Sequence, residues 1–395
     1  MSEASPVLWS SPLPPTRSGV ADLAAELLPE LARYIDVRVV EPPGWTRDDA
    51  APWLNGIELV ADGEEPPRGS IELLHLGNNP YHLWIAGRLR ARRGIAVVHD
   101  TVLHHLLVEE AAAGACWERY RRELDQSHGT PGAVVGEARR WGYVGARDPF
   151  LLPARLALLG QASGAIVHSA QAERDVTRCC PDLPLRRVPL AVEALPEGDR
   201  AATRARLGVA ESDLLLAHLG FLTPAKGMAE ILRALSAAAR IGVPARLMIV
   251  GEGEGAEGLV GLAGALDIGD RVTFTGYVSR DDLGPVLAAA DVGLVPRHPT
   301  AGETSAAALR FLSVGTPVIV SGYRQFLELP EAAAWRITPG PAGVAELVRL
   351  VLRLHGERKT LADARPAARS AWSTGRHDPA VVAPVLAAAI RELAR

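Results

Sequence analysis

The stretch VGLVPRHPTAGETSAAALRFLSVGTPVIVS, Val292–Ser321, decides how the chain is read. It opens with an apolar run, Val292–Pro296, with the composition of a buried strand. It breaks at RHPTAG, continues as an alanine- and leucine-rich segment and stops at Gly315, where a second apolar run, Pro317–Val320, follows at once. Strand, loop, helix and strand in that order make a βαβ unit, and open α/β sheets bind ligands at the loops beyond the carboxyl ends of their strands. Gly302 before Glu303, Thr304 and Ser305 predicts a helix start whose backbone N–H groups are open to a phosphate or sugar oxygen. From that start, Glu303, Ala306, Ala307, Arg310 and Val314 fall on one helical face, with the two charged residues about 10 Å apart and small alanines between them. The plainer alternative is an acid favoured by the helix dipole and a solvated arginine.

The pattern repeats on either side. Apolar runs at Leu214–Leu219, Ala245–Val250 and Val272–Phe274, with Val292–Val295 and Val318–Val320, alternate with helical segments of about three turns. Crossovers that short predict a parallel sheet with right-handed connections. After the first of these runs, Gly220–Gly227 (GFLTPAKG) puts Lys226 beside a glycine at a helix start, where a cation and the helix dipole both favour phosphate. A solvated lysine is the competing reading.

The first half follows the same logic less regularly. Pro6–Ser10 reads as a strand, SPLPPTRSG as a stiff loop carrying Arg17 and Gly19, and Leu23, Leu27, Leu28 and Leu31 as the buried face of a helix. Only Gly19 is present of a dinucleotide fingerprint, so an ordinary βα turn fits equally. Val37–Val40 is a second strand, and the Pro- and Gly-rich stretch after it, including Ile57–Val60, reads as irregular connection. Ile71–Leu76 and Ile95–Val98 are strands, ending in HLGNNPYH and in His99-Asp100. His99, Asp100, His104 and His105 lack a second cluster to complete a metal shell. HDTVLHHLL therefore reads as a helix capped by Asp100 or Thr101. Cys116–Gly142 is helical in pattern with a break at GTPG, a candidate acceptor-facing excursion, and Leu151–Leu159 reads as another helix. Ala165–His168 is a strand capped by Ser169 into a helix, and the polar stretch Ala191–Arg206 marks a boundary.

Bulk properties narrow the classes. A chain of 395 residues suits two domains. A net charge of −4 spread along the chain leaves no footprint for nucleic acid. The cluster RLRARR at Arg88–Arg93 reads as the polar end of a helix, with a peripheral membrane contact as the alternative. Three cysteines, two adjacent (Cys179, Cys180), give neither a disulfide framework nor zinc spacing. The amino terminus lacks a secretory pattern and no run reaches membrane-spanning length, so a cytoplasmic protein is expected.

The proline-ended strand and the closing Gly315-Thr316-Pro317-Val318 resemble the nucleotide-sugar loop of the retaining, family 4-like glycosyltransferases with the GT-B fold. Between them that family carries two glutamates separated by seven residues. Here Arg310 occupies the second glutamate position and Gly302 the first, with Glu303 one place late. The resemblance implies an α/β GT-B architecture, two Rossmann-like domains with parallel sheets facing a cleft. It divides the chain into an acceptor-side domain at 1–190, a nucleotide-sugar domain at 191–375 and a helix at 376–395 packing back across the domains. It implies transfer of a sugar from a nucleotide-diphosphate sugar, UDP or GDP, to a hydroxyl of a carbohydrate, lipid or small-molecule acceptor. Retention of configuration, no metal and no cofactor belong to the same expectation. Carried over residue by residue, His99, Lys226 and Glu303 are the catalytic candidates. Arg17, Gly19, Gly220, Gly276, Tyr277, Thr304, Ser305 and Arg310 are the substrate-binding ones. The departed glutamates keep a catalytically silent binding or scaffold subunit open, and the shared layout keeps a nucleotide-sugar 2-epimerase open.

Overall fold

The computed structural model describes residues 5–46, 51–114, 116–196 and 198–395. The chain divides into two compact units, Met1–Ala191 with Ala301–Thr304 and Asp378–Arg395, and Val192–Thr300 with Ser305–His377. The carboxy-terminal helix is thus part of the first unit, and so is a four-residue piece of the loop after the Val292 strand.

The first unit begins with β1 (Val7–Ser10), α1 (Gly19–Leu31), β2 (Val37–Glu41), β3 (Glu58–Ala61), β4 (Ile71–Leu76), α2 (Leu83–Arg92) and β5 (Ile95–Val98). Helices α3 (His104–Gly114), α4 (Trp117–His128), α5 (Thr130–Arg140), α6 (Asp148–Leu151) and α7 (Arg155–Leu159) follow, then β6 (Gly164–Val167), α8 (Ala170–Cys179) and β7 (Leu185–Arg187). All seven strands are parallel, in the order β3-β2-β1-β4-β5-β6-β7. The central strands are short apolar runs because helices cover both faces; every residue of β5 and β6 is buried.

The second unit carries α9 (Arg200–Arg206), β8 (Leu214–Leu219), α10 (Met228–Arg240), β9 (Ala245–Val250), α11 (Ala256–Ala265) and β10 (Val272–Gly276). It continues with α12 (Arg280–Ala289), β11 (Val292–Val295), α13 (Ala306–Ser313), β12 (Val318–Ser321), β13 (Ala334–Ile337), α14 (Val344–Gly356) and α15 (Arg358–Thr374). Its six parallel strands run β10-β9-β8-β11-β12-β13. Leu216, Ile231, Leu235, Leu247, Leu294 and Ile319 centre its core. The last helix, α16 (Pro379–Leu393), packs on α1, and Leu393 lies against Gly164 of β6.

In each unit the strand order reverses once, between β1 and β4 and between β8 and β11. At such a reversal the flanking helices leave to opposite faces and open a crevice at the carboxyl end of the sheet, so each unit has one predetermined ligand position.

The structure corrects the sequence reading at several elements. The expected irregular connection contains β3, an edge strand held to β2 by the ladder and by Arg38 donating to Glu58 at 2.9 Å. The single helix expected at Leu151–Leu159 is two short ones, α6 and α7. The helix expected to be capped by Asp100 or Thr101 begins only at His104, because both side chains are engaged elsewhere. The Asp100 carboxylate accepts from the Asn78 amide at 2.8 Å, and the Thr101 hydroxyl donates to Asp175 at 3.0 Å. In the RLRARR cluster, Arg88 is buried and grips both oxygens of Glu72 at 2.8 Å, while Arg90 bridges Glu110 and Glu123. Two of that cluster's charges therefore bind the interior rather than a polar surface.

Candidate active site

In the second unit the crevice is walled by the loops after β8, β9, β10 and β11. Gly220 follows β8 at φ +123°, and a Cβ on it would stand 3.1 Å from Lys226 Nζ, so the ammonium folds down over this bare backbone. Pro224–Lys226 is a single tight turn that delivers Lys226 just before Gly227 and the first residue of α10. The neighbouring loops are stitched together by backbone bonds. Gly220 N–H donates to Val250, Leu222 N–H to Glu252 and Gly251 N–H to Gly276, each at 2.9 Å. His298 N–H donates to Ala225 at 2.9 Å, which ties the Lys226 turn to the loop after β11. Tyr277 and Phe221 project from this rim into solvent.

Below the rim, His218 is fully buried at the strand-order reversal and hydrogen-bonds through Nδ1 to Leu294 O at 3.0 Å. Burial pushes its pKa down to about 3, with the charges of Lys226 and then Arg297 adding to the effect. It is a neutral post bridging β8 and β11. Arg297, two residues beyond β11, is a cation that the sequence reading did not single out. The signal was there, a charged residue at the carboxyl end of a central strand.

The loop after β11 departs from expectation. Helix α13 starts at Ala306, with Ser305 as its cap; the Ser305 hydroxyl accepts from Ala308 N–H at 3.2 Å. Glu303 and Thr304 lie ahead of the helix, so Glu303 and Arg310 do not share a helical face. The serine in GETS takes the cap and Gly302, at φ +84°, breaks the chain direction before it. Arg310 is buried, 8% exposed, which removes the reading of a solvated arginine.

Ala301–Thr304 belongs to the first unit, and the Ala301 carbonyl ties it to the loop after β5. Ala301 O accepts from Thr101 N–H at 2.8 Å and from Val102 N–H at 2.9 Å. A Cβ at Gly302 would stand 2.0 Å from the Thr101 hydroxyl oxygen, so only glycine fits this approach.

In the first unit, four adjacent strands each end in a ring. Trp9 on β1, His75 on β4, His99 just beyond β5 and His168 just beyond β6 form a row, with ring centroids 4.0, 5.1 and 5.1 Å apart. His75 Nδ1 and His99 Nε2 are 2.9 Å apart. His82, behind the row, bonds to His75 O at 2.7 Å, and His168 to Val188 O at 3.0 Å. Burial holds His75 and His99 well below the ordinary histidine pKa, and the neighbouring histidines add to this; burial also pushes His82 down to about 4. These rings are neutral near pH 7. Asn78, on the loop after β4, organises the rest: it donates to Asp100 and His105 and accepts from Leu106 N–H. Arg17 and Gly19 lie exposed beyond β1, where Ser18, not Gly19, caps α1. Among the described residues, no group of three or more His, Cys, Asp or Glu is placed to hold a metal ion.

Residues 199–370 match the family of group 1 glycosyl transferases. The chain is 34% identical over 128 residues to a D-inositol 3-phosphate glycosyltransferase of Segniliparus rotundus, covering 31% of this chain and 28% of that one. It is 36% identical over 144 residues to a GDP-mannose-dependent alpha-(1-6)-phosphatidylinositol dimannoside mannosyltransferase of Mycobacterium tuberculosis, covering 36% of each. The matched segment thus spans well under half the length of these curated relatives. The fold is similar to that of sucrose-phosphate synthase from Thermosynechococcus elongatus, at 17% identity with a TM-score of 0.66 over 98% of this chain and 99% of that one.

Proposed function

We propose that this GT-B chain, whose residues 199–370 are of the group 1 glycosyl transferase kind, moves a sugar from a nucleotide-diphosphate sugar to an acceptor hydroxyl. The observation that carries the reading is the placement of Lys226. It is a cation folded onto bare glycine backbone, next to a helix start, at the strand-order reversal of the matched unit.

In this reading the diphosphate lies against Lys226 and the backbone N–H groups of the surrounding loops. Charge that develops on the leaving phosphate meets a fixed cation and oriented dipoles without a metal ion. Arg297 adds positive charge on the same side, and buried Arg310 supports it. The exposed rings of Tyr277 and Phe221 offer faces to the base, with uridine and guanosine both accommodated by stacking. The resemblance assigns Glu303, Thr304 and Ser305 to the ribose or the transferred sugar and His99 to a sugar hydroxyl. Departure of the diphosphate leaves an oxygen that takes the acceptor proton on the face it has vacated. The configuration is therefore retained and no side-chain nucleophile is used. The acceptor is a carbohydrate, lipid or small molecule. No described helix is long and apolar enough to cross a membrane.

A second reading, a subunit that binds the donor without turning it over, is favoured by Gly302 and Arg310 standing where the resembled family has glutamates. One experiment separates the two. Nucleotide diphosphates and their sugars are screened by thermal shift, where a ligand at a hundred times its Kd adds about 2.7 kcal/mol. The stabilising donor is then incubated with an acceptor panel, with and without chelator. Transfer that survives chelator supports the proposal. Stabilisation with no transfer establishes the binding subunit, and transfer abolished by chelator and restored by magnesium overturns the metal-free mechanism.

A further inference from the structure

The row of rings on the first unit contains a constraint that fixes what His99 can do. His82 and His168 each point Nδ1 at a backbone carbonyl, which can only accept, so both carry their proton on Nδ1. Between His75 Nδ1 and His99 Nε2, one nitrogen must donate and the other accept. If His99 donated, neutral His75 would carry its proton on Nε2. That atom is buried and has no hydrogen-bond partner. A buried N–H facing no acceptor is among the costliest polar defects, whereas a bare ring nitrogen in the same place forfeits less. His75 therefore donates through Nδ1, and neutral His99 must hold its own proton on Nδ1.

We propose that His75 is a positioning residue that locks His99 in the Nδ1–H form, so that His99 presents a hydrogen-bond donor, not an acceptor, to an oxygen of the bound substrate. The geometry suits that task. The Trp9 ring lies against His75, centroids 4.0 Å apart, and His75 meets His99 edge to edge, with the two imidazole planes 24° apart. Its backbone carbonyl is held by His82, whose ring fills the space over Gly77; a Cβ there would lie 2.5 Å from His82 Nε2. The His75 ring itself is 1% exposed and packed on Trp9, which holds it in this orientation. His99 keeps some exposure at 9%, while His75 and His82 are sealed at 1% and 0%. The outer ring is the one that meets ligand, and the inner two hold it. With sugar transfer as the activity, a reading on which this part rests, the oxygen is a hydroxyl of the transferred sugar.

The test begins with imidazole ¹⁵N–¹H correlation spectra of the full chain, uniformly labelled at histidine, at pH 7. His99 should show the Nδ1–H pattern. An Nε2–H pattern in the parent protein overturns the proposal. Two variants separate positioning from packing. His75→Asn keeps an amide N–H close to where Nδ1–H stands, and should leave His99 as Nδ1–H. His75→Leu fills the space without a donor, and should release His99 toward the Nε2–H form. With the donor identified by thermal shift, kcat/KM should fall about five- to tenfold in His75→Leu, the worth of one hydrogen bond, and stay within about twofold of the parent in His75→Asn. Equal loss in both variants would show that His75 matters only as filling, and unchanged kinetics in both would remove its role altogether. The spectra do not depend on turnover. An Nδ1–H His99 in a chain that transfers no sugar refutes the glycosyl reading and leaves the tautomer lock standing.

Discussion

Lys226 shows what a single residue can carry. Its ammonium lies over Gly220 backbone in a turn tied to two neighbouring loops, so its position is set before any ligand arrives. A charge-assisted contact to phosphate is worth roughly 1.5–3 kcal/mol. Lys226→Ala should therefore weaken binding of the stabilising nucleotide diphosphate at least about tenfold, read by calorimetry, with the melting temperature of the free protein little changed. Unaltered affinity would make the lysine a solvated turn residue. This residue was legible because the cue was local, a cation between glycines after an apolar run. His99, at the end of another apolar run, was singled out only through the family resemblance. His75 was not. A histidine inside IELLHL reads as one polar interruption of a strand, and only the parallel pairing of β4 with β5 shows that it meets His99. Glu303 was misplaced because GETS offers two helix starts, and the choice fell to a hydroxyl-to-amide bond that composition does not reveal.

Elements were legible where burial on both faces makes a strand a continuous apolar run, and illegible at the sheet edges. β3 buries only Val60 of its four residues and lies in a Pro- and Gly-rich stretch, so its pattern was too short to separate from a loop. The far end of the second sheet hides a stronger device. The carbonyls that close α12, at Ala288, Ala289 and Ala290, receive the Arg200 guanidinium, and Arg365 donates to two of them. Asp291, next in the chain and buried, accepts from Arg200 at 2.5 Å, from Arg204 at 3.2 Å and from Leu215 N–H at 2.8 Å. One carboxylate thus joins α9, α12 and the start of β8, and offsets arginines that also neutralise a helix terminus. Asp291→Asn leaves that cationic group uncompensated, and breaking a buried pair from one side costs about 3–5 kcal/mol. At roughly 2–4 °C per kcal/mol for a unit of this size, the second unit's melting temperature should drop by on the order of 10 °C. A shift within about 2 °C would mean that the backbone carbonyls alone hold these arginines.

Across the whole molecule, the composition predicts mild pH behaviour, while the placement of the histidines predicts something sharper. The sequence has 11 histidines. The first unit buries His75, His82, His99 and His104 with lowered pKa values, while the second contributes His218. His82 and His104 fall to about 4 and His218 to about 3, in each case chiefly because burial penalises the charged ring. In the unfolded chain these rings titrate near 6.5, so below that pH the unfolded state binds protons that the native state refuses. Their contribution is therefore fully present above about pH 6.5 and is lost as the pH falls from there toward 4. Each pKa unit is worth about 1.4 kcal/mol. Among the described residues, four such groups against one make the first unit the more acid-sensitive. Hydrogen exchange followed by mass spectrometry between pH 7.5 and 5, with rates corrected for intrinsic pH dependence, resolves the two units separately. Protection in β4, β5 and β6 should fall by at least about tenfold more than in β8, β9 and β11. Equal loss in both sheets, or greater loss in the second, would show that the buried histidines of the first unit do not govern its acid response.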